Sequence, residues 1–285
     1  MIRYIYILFI TLSISVTVCA QNSWFGISPI VGTTWQLDAS PMTTPKTGAA
    51  FGLGITYQLQ KRYFLMEMGV EALYNFHQVE LADSLFGLPM VDTKGTSFLY
   101  KGLLYNRRDA SHSMALRIPL MFGAEFTYVY FLAGAKLHIN LYARNSARAS
   151  LTTSGEYDIF YDDIINVPTH GFTNAQSVKS YGDMQYNLLD LRPSIEVGAI
   201  LNYPPNRTKI HLGIFAEYGV LNSLPHEHAE ELIIPDVSQY MQVKLNHVYT
   251  TPYANKLNHL SVGVRFKVFL RLQGRGRNDC RCINY

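Results

Sequence analysis

The chain has 285 residues, a formal net charge of +3 and 48% hydrophobic residues. Because this small charge is not gathered into a dense basic patch, the sequence argues against a nucleic-acid partner. Beyond the N-terminus, no apolar run approaches the ~18 residues that a spanning helix needs, which excludes a helical membrane protein. The aromatic residues, 20 Tyr and 15 Phe against 2 Trp, suit long strands with rings at a membrane–water interface.

The N-terminus is typical of a secretory signal. A basic residue is followed by an apolar stretch and then by small residues, which predicts a signal peptide over residues 1–20 with cleavage between Ala20 and Gln21. The alternative is a lipoprotein signal in which Cys19 is acylated, but the small residue expected just before such a cysteine is missing. We therefore expect an exported protein.

From Trp24 onward, apolar and polar residues alternate with the period of a β-strand, and this alternation recurs eight times. The segments run from Trp24 to Leu37, Ala50 to Leu59, Tyr63 to Phe76, Met114 to Phe126, Tyr128 to Tyr142, Leu189 to Tyr203, Lys209 to Leu221 and Leu257 to Leu272. Most of them match or exceed the ~9 to 11 residues with which a tilted strand crosses a bilayer. The pattern predicts eight long strands.

The connections between these segments alternate in length. Those near residues 60–62, 127 and 204–207 are short, whereas those at 38–49, 79–113, 143–188 and 222–256 are long. Short turns at one end and long loops at the other are typical of outer-membrane barrels. The sequence therefore predicts an all-β fold, an eight-stranded antiparallel transmembrane β-barrel with up-and-down order, short periplasmic turns and long extracellular loops.

No linker or repeat divides the chain, so we predict a single barrel domain over residues 21–285 in a bacterial outer membrane. An even number of strands brings both termini to the short-turn end, which places the tail of residues 273–285 in the periplasm. This tail holds Cys280 and Cys282. A disulfide between them, a disulfide to a partner and two free thiols all remain open from the sequence.

The two faces of the predicted strands differ sharply in charge. One face is apolar and uncharged, with Leu116, Ile139 and Val264 as examples, and the other carries many ions. Lipid contact requires the apolar face to lie outside, and the lumen of an eight-stranded barrel is only wide enough for side chains. Since buried ions persist only when paired, we predict a salt-bridged plug rather than an open pore. The predicted lumen charges are Glu67, Glu71, Arg117, Glu125, Lys136, Asp190, Arg192, Glu196, Glu217, Arg265, Lys267 and Arg271.

Several short motifs resemble a known family. The run MALRIPLMFGAEF over Met114 to Phe126, followed by YFLAGA over residues 130–135, is similar to strands of the Bacteroidota outer-membrane β-barrel family that includes PorT-like proteins. The Ala20-Gln21 junction and the last strand, VGVRFKV over residues 262–268, are similar to the same group. The resemblance implies an outer-membrane barrel, and PorT-like members look like accessory parts of a secretion apparatus. Pro119 lacks a ladder N–H, so we expect a bulge or a local break there.

Three clusters are candidate sites for chemistry. His112-Ser113 resembles the pair of barrel esterases that act on lipid A, but adjacent strand residues face opposite sides. Two loop clusters offer metal ligands without a recognised spacing, so solvated loops are favoured. The ligands concerned are His226, Glu227, His228, Glu230 and Glu231 in one loop, and Asp158, Asp162 and Asp163 in another. We predict no catalytic residue, no metal and no cofactor.

The expected function is therefore a non-enzymatic outer-membrane barrel with a plugged lumen. Its role would be to bind at the cell surface or to assist envelope assembly or secretion, with outer-membrane lipid and an envelope or secretion protein as partners. The alternatives are a passive porin-like channel and a lipid-modifying barrel enzyme.

Overall fold

The computed structural model describes residues 22–38, 40, 42–92, 94–158, 163–165, 167, 172, 174–202, 208–225, 231–235, 243–254 and 256–272. The predicted signal peptide with Ala20 and Gln21, the predicted tail of residues 273–285, and Asp162 and residues 226–230 lie outside these ranges. In the described part of the chain, no helix is long and apolar enough to cross a bilayer.

Strands make up most of the described chain. In chain order they are β1 (Asn22–Asp38), β2 (Thr43–Lys61), β3 (Phe64–Leu81), β4 (Ser84–Val91), β5 (Ser97–Glu125), β6 (Val129–Glu156), β7 (Ile164–Ile165), β8 (Gln176–Asp183), β9 (Leu189–Asn202), β10 (Thr208–Tyr218), β11 (Ile233–Pro235), β12 (Val243–Leu245) and β13 (Leu257–Leu272). A 3-10 helix covers Val248–Thr250.

Eight of these strands close into a ring. The order is β1, β2, β3, β5, β6, β9, β10 and β13, and β13 pairs back onto β1. Every neighbouring pair in the ring is antiparallel. Each predicted segment falls on one strand of the ring, so the eight-stranded up-and-down barrel is confirmed. Ser23 lies opposite Leu272, which brings the first and last strands together at the short-turn end.

The apolar side chains of the barrel strands face outward. Ile27, Leu53 and Val264 are 53%, 57% and 48% exposed, whereas Glu71 and Arg265 are both 0% exposed inside the ring. A water-soluble barrel has the opposite arrangement, because its apolar side chains fill the interior. Apolar outside and ionic inside is the polarity of a transmembrane barrel, and the predicted orientation of the two faces is confirmed.

Two predicted loops turn out to be sheet. β5 has 29 residues and β6 has 28, and they continue as partners well beyond the barrel wall. β4 pairs with the start of β5, while β7 and β8 pair with the end of β6. We call this projecting sheet, made of the described residues within 84–113 and 143–183, the arm. The long connections over 79–113 and 143–188 were predicted, but their strands were not, because polar residues on both faces hide a strand's alternation.

The local break predicted at Pro119 is confirmed on one side of the strand, but no bulge accompanies it. Pro119 lies opposite Lys136 in a continuous register, and the ladder only lacks its pairs with Gly69 and Val70 on the β3 side. A missing N–H removes pairs on one side of a strand without requiring an extra residue. A bulge does occur nearer the long-loop end of the barrel, where Met114 pairs with Tyr142 but Ala115 pairs with Asn140. It turns the even-numbered residues of upper β6 outward.

Candidate functional site: the ionic lumen and the capped mouth

A continuous chain of ion pairs fills the middle of the barrel. Lys267 Nζ lies 2.7 Å from Glu67 Oε1 and 2.6 Å from Glu196 Oε1. Arg265 joins Glu196 to Glu71, at 3.4 Å and 2.7 Å. The inward positions of β3, β9 and β13 supply these five side chains, each of them 0% or 1% exposed. Acid and base thus alternate across the lumen from wall to wall.

The chain of ion pairs continues through Arg117. This guanidinium lies 2.9 Å from Glu71 Oε2 and also donates to Glu217. Glu217 accepts from Lys136 Nζ at 3.0 Å and lies 3.9 Å from Arg192, which donates to Asp190 at 2.8 Å. Ten of the twelve predicted lumen charges therefore belong to one connected network, with five acids and five bases.

A second, smaller ion pair closes the short-turn end of the lumen. Lys209 Nζ donates to Glu125 Oε2 at 2.6 Å and lies 4.8 Å from the centre of the Trp24 ring. His211 Nε2 is 3.6 Å from the same carboxylate oxygen. Adding this acid and this base to the ten network ions leaves the lumen charges balanced at six against six. Balance of this kind matters because a buried unpaired charge is very costly.

Arg271 was predicted in the lumen network but does not belong to it. Its side chain is exposed, and it donates to Asn22 Oδ1 at 2.5 Å. Arg271 lies opposite Trp24 near the end of β13. Because this position is beyond the last buried ion pair, its side chain reaches water instead of the lumen. The residue that sequence reasoning missed is Lys209. Extending the alternation of β10 back from His211 by one step would have found it.

Two glycines make room for a tyrosine beside the network. The Tyr130 hydroxyl donates to Glu196 Oε1 at 2.7 Å. A Cβ at Gly213 would overlap this hydroxyl, and one at Gly198 would come 2.6 Å from a carbon of the same ring. Because Gly198 on β9 and Gly213 on β10 have no side chains, the Tyr130 ring can pack against the barrel wall beside Glu196.

The long-loop mouth of the barrel is sealed by its own chain. Val79 and Leu81 at the top of β3 pack with Leu224, Val248 and Tyr249 from the last long connection, and all five are buried. Asn187 Nδ2 donates to the carbonyls of Asn222 and Leu224, each at 2.8 Å. We call residues 219–225, 243–254 and 256 the cap. A hydrophobic core thus lies across the opening above the ions.

A buried ion pair ties the cap to the barrel. Arg107 donates to Asp109 through two hydrogen bonds of 3.0 and 2.9 Å, and both side chains are almost fully buried. Arg107 also donates to the Asn246 carbonyl, and Asp109 Oδ2 accepts from the Val248 N–H at 2.8 Å. These bonds satisfy cap backbone groups that water cannot reach, so losing either ion would release the cap.

His247 makes the cap sensitive to pH. It is buried, its Nδ1 accepts from the Tyr249 N–H at 3.2 Å, and burial lowers the pKa of His247 to about 4 despite the opposing charge of Asp109. Between pH 6.5 and 4 the open cap binds more protons than the closed one, so we expect closure to weaken by up to roughly 3 kcal/mol as pH falls through that window.

Hydrogen exchange of residues 243–254 at pH 7 and pH 4.5 measures this loss. The matched control is His247→Asn, whose side-chain oxygen can accept the same N–H but does not titrate. Protection in this variant should be less dependent on pH. Equal pH dependence in both proteins would contradict the assignment to His247.

The structure separates His112 from Ser113. His112 faces outward, where its Nδ1 lies 2.6 Å from the Tyr74 hydroxyl, whereas Ser113 faces inward and is 5% exposed next to Asn75. The two side chains therefore lie on opposite faces of β5, as their adjacency predicts. A histidine on the outer face cannot take a proton from a serine inside the wall.

The described members of the two loop clusters do not form a metal site. Asp163 lies 3.2 Å from Lys101 in an exposed ion pair, and Asp158 and Glu231 are exposed. Among the described residues, no three His, Cys, Asp or Glu side chains come together as ligands. His226, Glu227, His228, Glu230 and Asp162 fall outside the described ranges.

Two solved structures are similar to this chain at low identity. Ail, the attachment invasion locus protein of Yersinia pestis in complex with the heparin analogue sucrose octasulfate, is 9% identical; the match covers 88% of this chain and 100% of that one, with a TM-score of 0.30. Neisserial surface protein A (NspA) is 8% identical, with 86% and 96% covered and a TM-score of 0.30. The sequence matches no family model and no curated protein. TM-scores this low carry no argument, so the barrel assignment stands on the strand ring alone.

Proposed function

We propose that this chain is a non-enzymatic outer-membrane β-barrel whose lumen is closed and whose long-loop end binds a partner. The observation that carries this proposal is the contrast between the two parts of the molecule. The barrel interior holds paired ions and is capped by a hydrophobic core, so we expect no path for a solute. The arm, in contrast, is ordered well beyond what a membrane crossing needs.

The arm has its own internal packing, which favours a binding role over that of a flexible loop. Phe98 and Tyr157 stack at 4.7 Å between ring centres, and Phe172 packs against Phe98 edge to face. A second core joins Leu104, Ala147 and Val178 to the cap residues Val243 and Leu245. A surface held rigid in this way loses little conformational entropy on binding, so it suits recognition.

The outer-membrane location is supported by the exposed apolar belt. Phe51, Ile195, Val197, Ile214 and Leu270 are each 50% or more exposed, and they lie on four strands of the ring. Contiguous apolar surface of this extent marks a membrane or protein interface, and a belt that surrounds a closed barrel fits lipid best. The secretion-accessory role that the PorT-like resemblance implies is a finer version of the same proposal.

A planar-bilayer recording tests the closed lumen. We expect purified protein inserted into a bilayer to show no stepwise ion conductance, because six acids and six bases occupy the lumen in ion pairs. The control is a variant with Glu71, Glu196, Arg117 and Arg265 replaced by glycine, which opens space but leaves the remaining acids and bases paired one to one. Regular conductance steps from the wild type would favour the porin-like alternative.

Crosslinking in intact cells tests where a partner binds. A photoreactive residue at Leu85, 80% exposed on the arm, reports on the cell surface, and one at Tyr63, 66% exposed in the turn after β2, reports on the opposite end. Adducts at Leu85 would support surface binding, and adducts at Tyr63 alone would support the secretion-accessory version. Adducts at neither position would count against both.

A further inference from the structure

A stripe of cations lies on the outer surface of the arm, directly beyond the apolar belt. Arg108 on β5, Arg148 on β6 and Lys179 on β8 are Cα partners in the register, so the three positive side chains stand side by side on adjacent strands. All three are exposed. Like charges directly opposite each other destabilise a sheet, so this arrangement needs a compensating reason.

The cations are only partly neutralised by the protein. Arg108 lies 3.3 Å from Glu80, which it shares with Lys46. Arg148 and Lys179 have no ion pair within the described chain, although acidic partners satisfy nearly every ion inside the barrel. The contrast indicates that the outer stripe keeps positive charge available for an anion from outside.

The stripe continues toward the belt through Arg144. This residue lies four positions before Arg148 on β6, which places it about 13 Å nearer the membrane along the strand. Its guanidinium lies 5.5 Å from the centre of the Tyr142 ring and 3.8 Å from Asp183, and both Arg144 and Asp183 are more than two-thirds exposed. Arg144 also lines a shallow concavity with Tyr74, His112 and Tyr142.

Two tyrosines indicate where this concavity lies relative to the membrane. Tyr74 and Tyr142 are 42% and 46% exposed and occupy one register level with Met114, between the apolar belt and the first cations. Tyrosine rings settle where hydrocarbon meets headgroups. The order of side chains is therefore aliphatic belt, tyrosines, Arg144 and then the row of Arg108, Arg148 and Lys179, which is the order of acyl chain, interface and phosphate in a lipid leaflet.

We propose that the outer face of β5, β6 and β8, carrying Arg144, Arg148 and Lys179, binds the phosphate groups of a phosphorylated membrane-lipid headgroup. Guanidinium groups suit this ligand because their planar donors match phosphate oxygens. The lipid's acyl chains would lie against the belt below Tyr74 and Tyr142. This inference rests on the proposed membrane location, since an acyl chain is what brings the phosphate to this height.

The test uses the mature full chain, purified in a neutral detergent, and titrates it with lipid A, a glycolipid that carries phosphate. The bound lipid is counted by native mass spectrometry. We expect the triple variant Arg144→Gln, Arg148→Gln, Lys179→Gln to bind lipid A about 10-fold to 100-fold more weakly, since each cation near an anionic surface contributes to the affinity. Lipid with a neutral headgroup should bind both proteins equally.

The matched control is Lys61→Gln, Lys94→Gln, Arg271→Gln, which removes the same charge from exposed positions away from the stripe. Equal weakening by both triple variants, or no weakening by the first, would overturn the proposal. Competition by millimolar inorganic phosphate would overturn the lipid as the ligand and indicate a site for free phosphate.

Membrane insertion separates this test from that of the proposed function. Both triple variants are first checked for the mobility difference between unheated and heated samples that a folded barrel shows on a gel. A protein that fractionates with the outer membrane but whose stripe variant keeps full lipid binding refutes this inference alone. A wild type found in the soluble fraction refutes the proposed function.

Discussion

Replacing Arg265 with alanine is expected to lower the free energy of unfolding by about 3–5 kcal/mol, since removing one partner leaves buried charges uncompensated. Arg265 is 0% exposed and lies between Glu71 and Glu196, at 2.7 and 3.4 Å. Without it, the basic partner of Glu71 is Arg117 and that of Glu196 is Lys267. The lumen would then hold six acids against five bases in a buried setting.

Urea unfolding in detergent micelles, followed by fluorescence of the two tryptophans, measures this change. Arg271→Ala is the matched control on the same strand, because that arginine is exposed and its loss should change stability by less than about 0.5 kcal/mol. Arg265→Lys should fall between the two, since an ammonium keeps the charge but does not reach both acids as a guanidinium does. An Arg265→Ala protein as stable as the Arg271→Ala protein would show that the network does not hold the barrel together.

Replacing Val264 with arginine is expected to weaken folding into a bilayer by about 2–4 kcal/mol, the cost of a charge near the membrane centre. Val264 lies outside the barrel between Val31 and Ile214, which are 54% and 60% exposed. The three form one apolar level in the middle of the belt. On the surface of a water-soluble barrel the same substitution would cost little folding free energy, since arginine is mostly found exposed to water.

Depth is the control for this experiment. Leu272→Arg places the same charge on the same strand at its last residue, opposite Ser23, where the expected cost is only about 0–1 kcal/mol. Folding from urea into phospholipid vesicles, followed by far-ultraviolet circular dichroism, compares the two variants. Equal stability of the Val264 and Leu272 variants would refute the membrane location and require a water-soluble explanation of the belt.

The barrel could be predicted because its signal is local and repeated. In β13, Val262, Val264 and Phe266 alternate with Arg265 and Lys267, and the same contrast between lipid and lumen recurs around the ring. The inward ions could be assigned for the same reason. Their partners could not, because a pair such as Lys267 with Glu67 joins residues 200 positions apart. Which ions meet depends on register and stagger, and a slip along any strand changes every pair across the lumen.

The arm and the cap could not be predicted for a different reason. Above the membrane the lipid no longer enforces an apolar outer face, so β5 passes from Leu104 through Arg107, Arg108 and Asp109 without a clear two-faced pattern. A bulge at Asn106, whose φ is 52°, further shifts the alternation within the strand. The ion pair of Arg107 with Asp109 therefore could not be predicted from the sequence, because its partners in the cap are distant along the chain.

Closure of the barrel gives every strand of the ring a hydrogen-bonded neighbour on both edges, but the arm ends in a strand that is paired on one edge only. Among the described residues, β4 pairs with β5 alone, which leaves one of its edges open to any extended chain that meets it. Pro89 lies within β4 and has no N–H to offer such a chain. The arm can therefore be exposed at the cell surface without its copies joining edge to edge into a common sheet.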